Sequence, residues 1–257
     1  MSDQQPLTDR VALVTGATRG IGRALALAFS AAGAHVIAVG RTQGALEDLD
    51  DEAKALGGAP VTLVPLDLTH GDGIDQLAQV ILSRFGRLDI LVHAAGVLLG
   101  LRPVLHIPPP VWDKIVATNI TATYRLIRAM EPPLRASQAG RAIFLTAEQA
   151  ARPTAFWGAF AASKAALEAL VRAWADEIDN TPIRAVLLDP GPMRTKLRTE
   201  AFPGEEPDLL TSPSALGPMV VELTLAADLG PPTGVHSFIS WVSAHCDAGP
   251  ETPSPDR

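Results

Sequence analysis

An apolar run, Val11-Ala12-Leu13-Val14-Thr15, stops at a glycine turn, Gly16-Ala17-Thr18-Arg19-Gly20-Ile21-Gly22, and an Ala/Leu-rich stretch follows. This opening constrains the fold more than any other part of the chain. A continuous apolar run fits a strand buried on both faces, as in a parallel sheet. The stretch over residues 23–32 consists of strong helix formers and stops at Gly33, a residue that readily closes a helix in the left-handed conformation. Residues 35–39 are apolar again and read as a second strand. Strand, glycine turn, helix and strand in that order form a nucleotide-binding half-unit.

The alternation continues. Helix is expected over residues 45–56, 74–85, 111–136 and 159–178, and from Ser212-Pro213 to about residue 226. Strand is expected over 61–66, 88–93, 142–145, 183–188 and 235–240. Pro132-Pro133 is expected to end or kink the 111–136 helix. Residues 191–208, polar with Pro and Gly, read as a loop. The expected fold is α/β, a Rossmann-type doubly wound parallel β-sheet flanked by helices. It forms a single domain over residues 1–242, with 243–257 as a disordered tail rich in Pro and acid.

Bulk properties narrow the function. A chain of 257 residues, 47% hydrophobic, suffices for one sizeable α/β domain. Its net charge of −7 argues against nucleic acid or an anionic membrane as partner. The single Cys246 cannot form an internal disulfide, residues 1–8 lack the apolar core of a secretion signal, and no apolar run is long enough to span a bilayer. A cytoplasmic protein is expected, and no metal site is.

The glycine turn lets the backbone approach a pyrophosphate seated at the helix N-terminus, with Gly16, Thr18, Arg19, Gly20, Ile21 and Gly22 around it. Gly40-Arg41 ends the second strand, where an NAD site would carry a carboxylate for the ribose 2′-hydroxyl. Arg41 and Arg19 could instead clamp a 2′-phosphate, which favours NADP (NADPH) over NAD. Asp67, followed by Leu68, could accept from the adenine amine or simply cap a turn.

These pieces resemble the short-chain dehydrogenase/reductase family over residues 9–240. The resemblance is carried by Thr15-Gly16-x-x-x-Gly20-x-Gly22, Asp67, Ala95-Gly96, Asn119, Lys164, and Pro190-Gly191 followed by Thr195. It implies that Asn119 carries a water on a proton relay. It also implies that Lys164 binds the nicotinamide ribose, and that Pro190, Gly191 and Thr195 line the nicotinamide. A homodimer or homotetramer built through the two long helices is implied as well, and so is a small-molecule substrate of unknown identity.

The departures fall on the chemistry. A bacterial branch reads Trp-Gly-Ala-Tyr-Ala-Ala-Ser-Lys where this chain has Trp157-Gly158-Ala159-Phe160-Ala161-Ala162-Ser163-Lys164. The family's catalytic Tyr is thus Phe160, and the position of its Ser is Ala147, beside Thr146. An enoyl-reductase variant places its Tyr where Trp157 stands, and the one Tyr of the chain, Tyr124, reads as packing or interface. A positioned general acid contributes roughly 10²- to 10⁴-fold, so its loss is serious. Glu148, Thr146 or a water remain as replacement donors, and His93 reads as structural. Two functions stay open: an NADP-dependent oxidoreductase with an atypical active site, or an inactive relative that binds NADP(H) as a sensor or partner subunit.

Overall fold

The computed structural model describes residues 5–227, 229 and 234–246. The strands are β1 (Val11–Thr15), β2 (His35–Gly40), β3 (Val61–Pro65), β4 (Ile90–His93), β5 (Arg141–Leu145), β6 (Arg184–Asp189) and β7 (Val235–Ser237). They form one sheet in the order β3-β2-β1-β4-β5-β6-β7, with every pairing parallel. The chain winds outward from β1 to β3, then returns to place β4 on the other side of β1. Ligands of such sheets bind where this order reverses, above the C-terminal ends of the strands. Here Thr15 and His93, paired in register, mark that point.

The helices are α1 (Gly20–Ala31), α2 (Gln43–Ala55), α3 (Gly71–Phe85), α4 (Pro109–Ile115), α5 (Ala122–Arg135), α6 (Gly158–Glu177), α7 (Lys196–Ala201), α8 (Leu216–Leu225) and α9 (Phe238–Cys246). Alternate strand residues feed two cores. Leu13, Ile37, Leu91 and Phe144 pack with Leu126, Met130 and Leu167 on one face. Val14, Val36, Val92 and Ile143 pack with Leu25, Phe29, Leu46 and Val220 on the other. Both faces are covered, which is why the strands read as unbroken apolar runs.

Three expectations need correction. The helix expected over 111–136 is divided: α4 and α5 are joined by a π-helical turn, Val116–Thr121. A π turn fits one extra residue into the helix and tends to occur at functional sites, and Asn119 lies in this one. Pro132 and Pro133 sit inside the last turn of α5, close to its end at Arg135. The 191–208 loop contains α7, capped by the Thr195 side chain, which accepts from Arg198 N at 3.2 Å. The last strand ends at Ser237, not 240. Phe238, Trp241 and Val242 repeat at helical spacing and pack on the second core, so α9 forms instead. It carries the chain past residue 242 to Cys246. Of the tail expected to be disordered over 243–257, residues 243–246 are helical in α9, and 247–257 lie outside the described residues, as do residues 1–4.

Candidate active site

The cradle is built where β1 meets α1. Gly16 has φ +68°, and a Cβ there would stand 2.9 Å from Ala95 N. A Cβ on Gly22 would overlap the Gly16 carbonyl oxygen. Any side chain at either position would force the turn open. Arg19, at the N-cap of α1, makes no side-chain capping bond, and the first turn holds no acidic residue. Among the described residues no side chain caps the first N–H groups of α1, the arrangement that suits an anion. The Thr18 side chain packs onto Gly40, while Ile21 leans on the second core. Thr195 crosses from the loop after β6 to within 3.4 Å of where a Cβ on Gly20 would lie.

Arg19 and Arg41 are both exposed, and neither forms an ion pair among the described residues. Asp67 accepts from Thr69 N at 3.0 Å and Thr69 Oγ1 at 2.8 Å, so it caps its own turn. Burial pushes its pKa up. The two Thr69 bonds and the charges of Arg41 and His70 outweigh this and leave it below the ordinary value. Leu68 is buried in the first core. On the far side of the switch point, Ala95 and Gly96 are half-buried, and so are Pro190 and Gly191 beyond β6. Gly191 N donates to Asp189 Oδ1 at 2.9 Å.

α6 brings Phe160, Ser163 and Lys164 to this crevice. Lys164 is 6% exposed and donates from Nζ to Leu145 O at 2.7 Å. Burial pushes its pKa down to about 8, against the pull of Glu168 and Asp189. Asn119 is braced on all sides. Its Oδ1 accepts from Val97 N at 2.9 Å, and its Nδ2 donates to Val97 O and to Ser163 Oγ, each at 2.9 Å. Ser163 Oγ donates onward to Phe160 O at 2.7 Å. The Asn119 carbonyl accepts from Thr123 Oγ1 at 2.8 Å. Thr146 is buried and donates to Glu168 Oε1 at 2.6 Å. His93 is buried, with Nδ1 2.9 Å from Thr15 Oγ1 and Nε2 without a hydrogen-bond partner among the described residues. Burial, then the charge of Lys164, pushes its pKa down to about 3, so it is neutral.

The crevice in front of Phe160 is largely apolar. Phe160 packs with Leu98, Trp157, Ala161 and Ala201, and Leu101, Ala147 and Leu197 lean on the cluster. The cleft in front of Phe160 is narrow, about 250 Å³ with its open mouth included. Two residues at its rim hold positive φ, Leu99 at 59° and Phe156 at 73°. Such conformations cost on the order of 1–2 kcal/mol each. Arg102 ties the two turns together: its N–H donates to Phe156 O at 3.0 Å, and its guanidinium reaches the carbonyls of Leu99 and Gly100. Glu148 is exposed, 3.8 Å from Arg152, and Tyr124 is 50% exposed on α5.

Sequence reasoning passed over two carboxylates that the fold brings to Lys164. Glu168, 5% exposed, stands one helical turn after it and pairs with Arg172 at 2.7 Å. Asp189 arrives from the end of β6. The signal for Glu168 was a charged residue four places after Lys164, on a face otherwise made of Phe160, Leu167 and Val171.

Residues 10–206 match the family model described as short chain dehydrogenase. The uncharacterized oxidoreductase YciK of Escherichia coli K12 is 36% identical over 222 residues, which are 86% of this chain and 88% of that protein. A protein described as a short chain dehydrogenase, from Pseudomonas syringae, superposes with a TM-score of 0.87 at 32% identity, over 92% of this chain and 97% of that one. Another, from Escherichia coli CFT073 and complexed with NADPH, superposes with a TM-score of 0.82 at 36% identity, over 87% and 93%. A chain that meets the family model over most of its length, and its relatives over most of theirs, belongs to the short-chain dehydrogenase/reductase family of oxidoreductases.

Proposed function

We propose that the protein is an NADP(H)-dependent oxidoreductase acting on a carbonyl of an apolar compound, at a site whose phenolic acid is replaced by Phe160. The observation that carries this reading is the intact cradle: Gly16 and Gly22 leave room that any Cβ would fill, and Arg41 stands where NAD would call for a carboxylate. The relative from Escherichia coli CFT073 complexed with NADPH supports the same choice of dinucleotide.

The pyrophosphate would lie over residues 16–22 at the α1 N-terminus, with the 2′-phosphate between Arg19 and Arg41. Asp67 and Leu68 would flank the adenine, and Ala95 and Gly96 would pass beneath the riboses. Lys164 would hold the nicotinamide ribose, and Pro190, Gly191 and Thr195 would line the ring. When bound, the nicotinamide supplies or accepts hydride. The cluster of Leu98, Trp157, Phe160 and Leu197 excludes water and selects an apolar substrate face. Asn119 keeps the 97 loop and α6 in fixed relation. The reading extends to a homodimer or homotetramer joined through α5 and α6, and to a reducing cytoplasm, which suits a chain with one Cys.

Calorimetry with NADPH and NADH tests the cofactor, and turnover of apolar ketones on the same sample tests the activity. NADPH is expected to bind the more tightly, and Arg41→Asp to weaken it at least about tenfold while sparing NADH, as expected for loss of a charged contact. Tighter NADH binding by the native protein would overturn the cofactor choice. NADPH binding without turnover would favour the sensor reading, for which the joint replacement of Tyr and Ser by Phe160 and Ala147 is the motive.

A further inference from the structure

We propose that the Lys164 ammonium is itself the proton donor of this site, with Glu168 the positioning residue that keeps it charged. The inference rests on the oxidoreductase reading above and names the group that completes its chemistry.

Geometry selects Lys164. Nζ spends one of its three N–H bonds on Leu145 O, at 2.7 Å. It lies 5.8 Å from the centre of the Phe160 ring, which has no hydroxyl to stand between it and a substrate. A Cβ on Gly96 would be 3.7 Å from Nζ and 3.7 Å from Asn119 Oδ1, so the space above Gly96 opens onto both. The other polar groups are committed or unsuited. The Asn119 amide is engaged with Val97 and Ser163, the Ser163 hydroxyl with Phe160 O, and the Thr146 hydroxyl with Glu168. His93 is neutral and buried at the end of β4, and Glu148 is exposed.

Charges face Nζ from three elements: Glu168 on α6, Asp189 at the end of β6, and His93, uncharged, on β4. Burial raises the pKa of Asp189, and the charges of Glu148 and Glu168 add to the rise. The Glu168 carboxylate is fixed by Thr146 Oγ1 at 2.6 Å and by Arg172 at 2.7 Å. Burial working against these carboxylates brings Lys164 to about 8, where an amine is charged at neutral pH yet acidic enough to give up its proton. The step balances. With hydride supplied by the dinucleotide, the C=O electron pair moves to oxygen. An N–H bond of Lys164 then breaks, an O–H bond forms, and the neutral amine takes a proton from solvent.

The test pairs a structural readout with a kinetic one, in the NADPH- and NADP-bound protein. NMR of ¹³Cε-labelled lysine gives the Lys164 midpoint, and single-turnover reduction of apolar ketones, benzil among them, gives the pH profile. Reduction is expected to fall as pH rises through the NMR midpoint. Glu168→Gln should move both midpoints down, and Arg172→Gln, which removes a cation from beside that carboxylate, should move both up. Lys164→Arg, measured in single turnover at saturating NADPH, should lose at least about 10²-fold in rate, since a guanidinium does not release a proton. Midpoints that stay put in both variants, rate and NMR midpoints that part company, or a Lys164→Arg variant as fast as native would each overturn this proposal alone. NADPH binding with no reduction of any ketone would overturn the oxidoreductase reading and this proposal together.

Discussion

Phe160 is 4% exposed, wedged between the Trp157 ring, whose centre is 5.7 Å away, and the Lys164 ammonium. Replacing a phenol by a phenyl here removes a proton and also makes the wall of the cleft continuous and apolar, because Ala147 leans on the same cluster. Phe160→Tyr combined with Ala147→Ser should restore the missing donor pair. Carbonyl reduction is expected to rise by at least about 10²-fold with NADPH affinity unchanged, as read by steady-state kinetics beside calorimetry. A rate that stays flat would mean that a phenol at position 160 adds nothing to proton delivery in this cleft. The glycines, Lys164 and Phe160 were legible because their spacing along the chain is their meaning. Glu168 was not, because a carboxylate on a helix reads as solvated until the fold shows β5 closing over it through Thr146.

The elements around the site are joined by a run of ring contacts. The Arg198 guanidinium lies 4.1 Å above the Phe202 ring, Phe202 meets Trp157 at 6.0 Å, and Trp157 meets Phe160. Arg198 is held in turn by both oxygens of Glu205, each at 2.6 Å. The short helix α7 is thus latched to the start of α6. An aromatic pair adds about 0.5–1.5 kcal/mol beyond its burial. Phe202→Ala should therefore speed amide hydrogen exchange in residues 196–201 by about tenfold while the strands keep their protection. Unchanged exchange there would mean that Thr195 and the Arg198–Glu205 pair suffice to hold α7. Helices of one or two turns such as α7 carry too few residues for an apolar period to show. The π turn at Asn119 was hidden for another reason: its extra residue is accommodated by bonds to the distant Val97 and Ser163.

At the scale of the molecule, α5 and α6 cover one face of the sheet, and α6 leaves Ala162, Ala165, Ala169 and Ala173 exposed along one side. Small residues let a second helix approach closely. If the protomers join there, light scattering should report two or four times the 27.0 kDa chain mass, and Ala165→Glu with Ala169→Glu should reduce it to one. A native protein that already runs as a monomer would sink this expectation. The overall architecture was readable in advance because the central strands are buried apolar runs and each turn back to the sheet is closed by Gly or Pro. The end of the chain was read less well, since 235–240 is apolar enough for a strand while Phe238, Trp241 and Val242 face the core as a helix.

What the amino-acid sequence determined alone is the sheet, its cradle and the vacancy at position 160. These rest on local spacing and on residue types that admit no substitute: a glycine where a Cβ would collide, and a phenyl without a proton. What only the tertiary structure decided is the company Lys164 keeps. Leu145, Glu168 and Asp189 come from three elements, and an ammonium's acidity depends on burial and on charges close in space rather than along the chain.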